Sequence, residues 1–176
     1  MLSILQLVVD AIATVLGAVL LLRFWMQAIR VRPPASVAQF TFTLSDWLVR
    51  PLRRLVPGVG GYDWASLIGA FLVVCLATSV LLLSGMPGQT VFLMALYRFF
   101  NWILYGFMAL LIVEAIFSWV NPHAPLAPLV RALNDPLLRP LRKVVPLLGG
   151  LDLSLLVALI LLQIAQHVLG MLFGLR

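Results

Sequence analysis

The sequence predicts an all-α membrane protein in which four transmembrane helices form two tandem, parallel helix–loop–helix repeats. Hydrophobic residues make up 63% of the 176-residue chain and charged residues only 10%, far below the roughly 25% of a soluble domain. Four apolar stretches are continuous rather than alternating, and each is long enough to span a bilayer. A basic phrase also occurs twice, as RPLRRLVPGVGGYD from position 50 and as RPLRKVVPLLGGLD from position 139.

Each predicted repeat contains a transmembrane helix, a basic loop and a second transmembrane helix. In the first repeat, residues 1–84, these elements are 4–29, 30–63 and 64–83. In the second repeat, residues 91–176, they are 91–120, 121–150 and 151–173, after a short external connector at 85–90. No basic residue precedes the first apolar stretch, which is too long for a signal-peptide core, so we expect it to stay as an anchor. Because each repeat crosses twice, the copies share one orientation, related by an axis along the membrane normal.

Positive charge is concentrated in the two long loops and is absent from the connector. The positive-inside rule therefore predicts cytoplasmic loops and external termini. Short apolar helices rich in Arg and Lys lie in the membrane interface, where each cation contributes about 1 kcal/mol on an anionic leaflet. Six basic residues of the repeated phrase are therefore predicted to dock anionic phospholipid or a partner protein: Arg50, Arg53, Arg54, Arg139, Arg142 and Lys143.

The prolines of the second loop predict that its amphipathic structure is interrupted. Apolar residues at 126, 129, 130 and 133 follow helical spacing and predict one short helix. Asp135 is then expected to cap a new turn, with Pro136 at its first position. Pro140 is expected to break or kink that turn, and Pro146 to end the next one.

The end of each phrase, Gly-Gly-x-Asp, predicts a turn by which the chain re-enters the membrane. Glycine pairs adopt backbone angles closed to other residues, and an aspartate at the start of a helix caps its free amides. The alternative interpretation makes the two aspartates ion or proton ligands. The residues concerned are Gly60, Gly61, Asp63, Gly149, Gly150 and Asp152.

Ionisable residues inside the apolar stretches are candidates for function, because charge in lipid is costly. The repeat register places Asp10 at the depth of Arg98, and Arg23 at the depth of Glu114. We expect two ion pairs, Asp10–Arg98 and Arg23–Glu114, across the pseudo-twofold axis. The alternatives are that the two arginines extend to the interfaces, or that the acidic residues form a proton path with His167.

The sequence predicts no catalytic, cofactor or metal site. Histidine, cysteine and carboxylates lack metal-ligand spacing, and there is no glycine-rich nucleotide loop. The single cysteine, Cys75, is expected to be an apolar packing residue. His167 and Gln163 lie four residues apart on one helix, a spacing typical of interhelical hydrogen bonding. The basic loops also lack the length and exposed aromatics of a nucleic-acid module.

Residues 118–164 resemble the YggT family, also called YlmG-like. The resemblance is carried by Ser118-Trp119, by prolines 122 and 125, by the Asp135-Pro136 and Arg139-Pro140 dipeptides, and by the Gly-Gly-x-Asp-x-Ser turn that ends at Ser154. The first half matches more weakly, because Arg30-Val31 stands in place of Ser118-Trp119 and Ser66 is shifted by one residue. The resemblance implies a bacterial inner-membrane protein linked to osmotic-shock tolerance and envelope organisation, with no enzymatic activity.

Two functions follow as hypotheses. The first is a non-enzymatic membrane scaffold or accessory subunit, whose basic loops bind anionic phospholipid or other membrane proteins in a larger complex or homo-oligomer. The second is a small oligomeric channel or transporter subunit for ion homeostasis. A pore should show a polar stripe along a whole helix, and only the fourth helix comes close to one.

Overall fold

The computed structural model of the protein describes residues 2–145 and 152–174, and this part of the chain is helical. A 3₁₀ turn, Val80–Ser84, continues the third helix. The six α-helices in chain order are α1 Leu2–Ala28, α2 Ala35–Leu55, α3 Trp64–Ser79, α4 Gly88–Val120, α5 Ala127–Arg142 and α6 Ser154–Leu172.

Four of these helical segments are long and apolar enough to cross a membrane, which confirms that prediction. They are Ile4–Ala28, Trp64–Ser84, Gly88–Val120 and Ser154–Leu172. Continuous apolar sequence selects helices here because lipid offers no hydrogen bonds to a backbone that does not satisfy itself. The remaining helices, α2 and α5, lie in the two long basic loops.

The chain divides into two compact units, and the helix α4 is shared between them. The first unit comprises residues 1–30 and 35–103, and the second comprises residues 31–34 and 104–176. In the first unit, α1 packs mainly against α3. The α3 surface carries small buried residues, among them Ala65, Ala70 and Ala77, around the fully buried Leu20 and Val74. Small residues allow two backbones to approach closely, which is what stabilises helix pairs in lipid.

Gly17 of α1 lies where a larger side chain has no room. A Cβ atom at this position would collide with the indole ring of Trp102 on α4. We therefore expect Gly17→Ala to lower the free energy of unfolding by about 1–3 kcal/mol, because the ring must shift to make room. Thermal unfolding in detergent measures the effect. Gly106→Ala is the control, since no described atom lies within 4 Å of its Cβ, and equal unfolding temperatures for the two variants would contradict the assignment.

The second unit is built around the end of α4, with α5 and α6 packed on it. Leu111 of α4, Leu138 of α5, and Ala158 and Leu162 of α6 form its buried cluster. Partly buried residues extend the cluster at three- or four-residue spacing, among them Leu104 and Phe107 of α4 and Leu141 of α5, so each helix buries one face.

The helix α5 is continuous, and the predicted interruption of the second loop is wrong. It runs from Ala127 to Arg142 through Pro136 and Pro140. Asp135 therefore lies inside a helix rather than at the start of a new turn. Each proline removes one intrahelical hydrogen bond. Because both rings lie four residues apart on the exposed face, they do not disturb the buried face that holds the helix. Pro146 lies outside the described residues.

Candidate functional site

A buried guanidinium connects three elements of the first unit. Arg23 of α1 is only 5% exposed. Its Nη1 donates to Ser45 Oγ at 2.6 Å and to Asp46 Oδ1 at 2.7 Å, both on α2. Its Nε donates to Asp63 Oδ2 at 3.3 Å, in the residue just before α3. The ring of Phe42 lies 4.8 Å from the same guanidinium carbon. The Nε and Nη1 donors of this guanidinium therefore meet three acceptors, and an aromatic ring lies over its plane.

The carboxylate of Asp63 is the centre of this first-unit network, and it is 2% exposed. Arg53 binds it through both oxygens, with Nε 3.2 Å from Oδ1 and Nη2 2.6 Å from Oδ2. Ser66 Oγ donates to the same carboxylate at 2.7 Å. Asp63 occupies the N-cap position of α3, but its side chain makes no capping hydrogen bond. The predicted capping role of this side chain is thus replaced by ion pairing, because two guanidinium groups are stronger partners than helix amides.

The turn that precedes Asp63 has the geometry expected of its glycines. Gly60 and Gly61 have φ values of 70° and 83°, in the left-handed region that side chains disfavour. Gln27 of α1 donates to the Gly61 carbonyl at 3.3 Å. The turn therefore delivers Asp63 to the end of α1. The matching glycines, Gly149 and Gly150, lie outside the described residues.

Acidic pH should weaken the first-unit network. Burial opposes the ionisation of Asp63, but hydrogen bonds from Arg53 and Ser66 outweigh it and hold its pKa below 3.8. A hydrogen bond from Arg23 lowers the pKa of Asp46 in the same way. A depressed folded-state pKa contributes stability that is complete above the unfolded value and is lost as pH falls through the folded value. We expect the unfolding temperature in detergent to fall below pH 3.8. In Asp63→Asn the fall of the unfolding temperature with decreasing pH should be smaller. The same fall in the variant and the wild type would contradict the prediction.

The second unit contains a related network around Glu114 of α4, which is 4% exposed. Asn134 of α5 donates to Glu114 Oε2 at 2.7 Å and to the Leu110 carbonyl at 2.9 Å. Arg142, at the end of α5, donates to Glu114 Oε1 at 3.1 Å. The same guanidinium donates through Nε to Asp152 Oδ2 at 2.8 Å. This second-unit network joins α4 and α5 to the residues that precede α6.

Asp152 combines ion pairing with a contact to the start of α6. Its Oδ1 accepts from the Ser154 backbone amide at 3.0 Å. Burial opposes the charged form, but hydrogen bonds from Arg142 and Ser154 outweigh it, so the pKa of Asp152 also lies below 3.8. Unlike Asp63, it keeps a quarter of its side chain exposed.

The two networks contain the same ion pair from the repeated motif, but the buried charges on their spanning helices, α1 and α4, are opposite. Arg53 binds Asp63, and Arg142 binds Asp152, the pairs that match at the 89-residue offset. On the spanning helices, by contrast, Arg23 needs acceptors and Glu114 needs donors. The α2 and α5 residues that meet them, Ser45 and Asn134, match at the same offset. Each unit therefore supplies the partner that its own buried charge requires.

The other predicted site residues have varied positions. Arg98 Nη1 lies 2.7 Å from Asp10 Oδ1, the geometry expected of that pair. Arg23 and Glu114, expected to pair with each other, each have partners in their own unit. Arg50 and Arg139 form exposed i,i+4 pairs with Asp46 and Asp135. Arg54 and Lys143 are exposed and make no ion pair with any residue in the described ranges.

Sequence reasoning missed Ser45 and Asn134 as partners of the buried charges. The sequence did contain a signal in their position. Ser45 immediately precedes Asp46, and Asn134 immediately precedes Asp135, the aspartate 89 residues later. Ser45 and the carboxylates can hold guanidinium groups in place, whereas Asn134 holds the carboxylate of Glu114. No group of three or more His, Cys, Asp or Glu side chains that could hold a metal ion occurs within 2–145 and 152–174.

Helical architecture with four apolar spans defines a multi-pass membrane protein. A family model described as CCB3/YggT matches residues 2–84 and 93–173, and the chain belongs to this family. It is 33% identical over 165 residues to the "uncharacterized protein in proC 3′ region" of Vibrio alginolyticus, covering 89% of this chain and 88% of the relative. It is 37% identical to an uncharacterized protein of Pseudomonas aeruginosa and 32% identical to YggT of Escherichia coli K12, each covering 83% of this chain and 78% of the relative. No solved structure matches.

Proposed function

We propose that the protein is a non-enzymatic scaffold or accessory subunit of the bacterial inner membrane that binds anionic phospholipid through the exposed, unpaired cations of its two basic loops, within the described ranges. In this proposal both loops are cytoplasmic, the two halves are tandem parallel repeats, and the assembly supports envelope organisation and osmotic-stress tolerance. None of the relatives named above carries an enzymatic name.

The observation that carries the proposal is the fixed attachment of two basic helices to the spans. Arg53 and Arg142, predicted to dock phospholipid or a partner protein, form ion pairs with Asp63 and Asp152. The helices that they anchor keep exposed cations without ion-pair partners in the described ranges, namely Arg54 on α2 and Arg131 on α5, with Lys143 just after α5. A rigidly held cation loses less entropy on binding a phosphate than a mobile one.

Exposed aromatic side chains on α2 support an interfacial position. Trp47 is 63% exposed and Phe40 is 59% exposed, although both belong to a helix whose other face is buried. Large aromatic rings beside arginines are typical of helices at the level of lipid headgroups.

Ion pairing of the carboxylates in and beside the spans favours the scaffold over the channel alternative. A channel or proton path would need carboxylates free to exchange a cation or proton. Asp10, Asp63 and Glu114 are each held by an arginine at 2.6–3.1 Å in their nearest contact.

The proposal is tested by titrating the detergent-solubilised protein with phosphatidylglycerol. Arg131→Gln combined with Lys143→Gln removes two exposed cations of the second loop. At about 1 kcal/mol for each cation, we expect roughly 25-fold weaker half-saturation. Added salt should weaken binding to the wild type more than to this variant.

The matched control is Asp135→Asn combined with Arg139→Gln, which removes an exposed ion pair of α5 without changing net charge. It should bind phosphatidylglycerol as the wild type does. Equal binding by both double variants would contradict the proposal. A co-purifying protein that is lost with the two cations, while lipid binding is unchanged, would indicate a protein ligand instead.

A further inference from the structure

The exposed face of α6 carries two polar side chains that lipid cannot satisfy. The helix has 19 residues, about 28 Å at 1.5 Å per residue, which is close to the thickness of the hydrocarbon core. Gln163 is its tenth residue and therefore lies at the centre of the span. Gln163 and His167 are both exposed and make no hydrogen bond with any residue of 2–145 or 152–174.

These two residues lie opposite the face by which α6 packs in its own unit. Ser154, Ala158 and Leu162 are the buried residues of the helix. An amide at the middle of a span costs free energy when its donors and acceptor stay unpaired in lipid. A partner that supplies hydrogen bonds at this depth would remove that cost.

The spacing on the exposed face is that of a helix–helix seam. Leu156 and Ile160 are 56% and 47% exposed, and with Gln163 and His167 they follow intervals of four, three and four residues. This is the interval pattern of the a and d positions of a left-handed helix pair, the commonest crossing in membranes. A single polar residue in such a seam fixes register and partner number.

We propose that α6 packs in parallel against α6 of a second copy of this chain through the seam Leu156, Ile160, Gln163 and His167. Copies inserted with the same topology are parallel, so each seam residue meets its own counterpart at the same depth. A glutamine amide both donates and accepts, and two of them can hydrogen-bond reciprocally. The seam is therefore self-complementary. This inference rests on α6 alone and is independent of the lipid proposal.

The test is disulfide cross-linking in native membranes, in a Cys75→Ala background that removes the single native cysteine. Ile160→Cys places a thiol in the seam. Leu161→Cys is its matched control, because Leu161 is 49% exposed, lies at nearly the same depth and points away from the seam. We expect oxidation to give a dimer of two 19.4 kDa chains with Ile160→Cys but not with Leu161→Cys.

A second variant tests whether the Gln163 amide contributes to dimerisation, beyond the closeness of the two helices that the cross-link reports. Adding Gln163→Leu to Ile160→Cys should weaken dimerisation by about three- to tenfold, the usual worth of an interhelical hydrogen bond in membranes. The effect would be measured by diluting the protein in detergent. Cross-linking that is equal at positions 160 and 161, absent at 160, or directed to a protein of another mass would overturn the proposal.

Discussion

Asp63→Ala should lower the free energy of unfolding by about 3–5 kcal/mol, the range found when one partner of a buried ion pair is removed. The carboxylate is 2% exposed and accepts from Arg23, Arg53 and Ser66. Its loss leaves the buried guanidinium of Arg23 with only α2 partners and releases Arg53 from the residue that precedes α3. Unfolding in mild detergent, followed by circular dichroism, measures the change.

The control for this prediction is Asp152→Ala, at the matching position of the second unit. Asp152 is a quarter exposed, and its partner Arg142 also binds Glu114. Water and Glu114 can therefore compensate for its loss, and we expect a cost of only about 1 kcal/mol. Equal costs at the two positions would contradict the prediction, because they would mean that the shared sequence motif, and not the burial of the ion pair, sets the cost.

The spanning helices could be predicted from sequence because their determinants are local. About 20 consecutive apolar residues leave the backbone no alternative in lipid, whatever the neighbouring helices do. The continuity of α5 could not be predicted in this way. Pro136 and Pro140 disfavour a helix locally, but both rings lie on the exposed face, and burial of Leu133 and Leu138 on the other face holds the helix together.

The candidate site was only partly predictable, because its partners come from different elements. The repeated phrase singled out Arg53, Arg142 and the two aspartates, yet interfacial docking and helix capping were the expected roles. Depth alone suggested that Arg23 should meet Glu114. Depth within the spans does not say where a loop helix packs, and the packing of α2 brings Asp46 to Arg23 at 2.7 Å.

The opposite charges of Arg23 and Glu114 also predict that the spanning helices of the two units cannot be exchanged without a loss of stability. In the first unit, Ser45 and two aspartates provide acceptors for a cation. In the second, Asn134 and Arg142 provide donors for an anion. Transferring one spanning helix into the other loop would bury like charges together, which costs far more than the loss of a surface pair. Each loop helix is thereby specific for its own span.

The second-unit network should behave as a coupled pair in a double-mutant cycle. Glu114→Leu leaves Arg142 and Asn134 without their shared acceptor and should cost about 3 kcal/mol. Arg142→Leu leaves a carboxylate that is 4% exposed with Asn134 as its remaining donor, and should cost a similar amount. The double variant removes both charges, and we expect it to be more stable than the sum of the single effects by at least about 1.5 kcal/mol.

The exposed pair Asp135–Arg139 provides the reference cycle on the same helix. Its side chains are 38% and 72% exposed, so water replaces either partner and the coupling should stay below about 0.5 kcal/mol. Both cycles would be measured by unfolding in one detergent at one salt concentration. Additive costs for Glu114 and Arg142 would mean that each side chain stabilises the unit separately. The attachment of α5 to α4 would then rest on the hydrogen bonds of Asn134 and on the apolar contacts of Leu111 and Leu138.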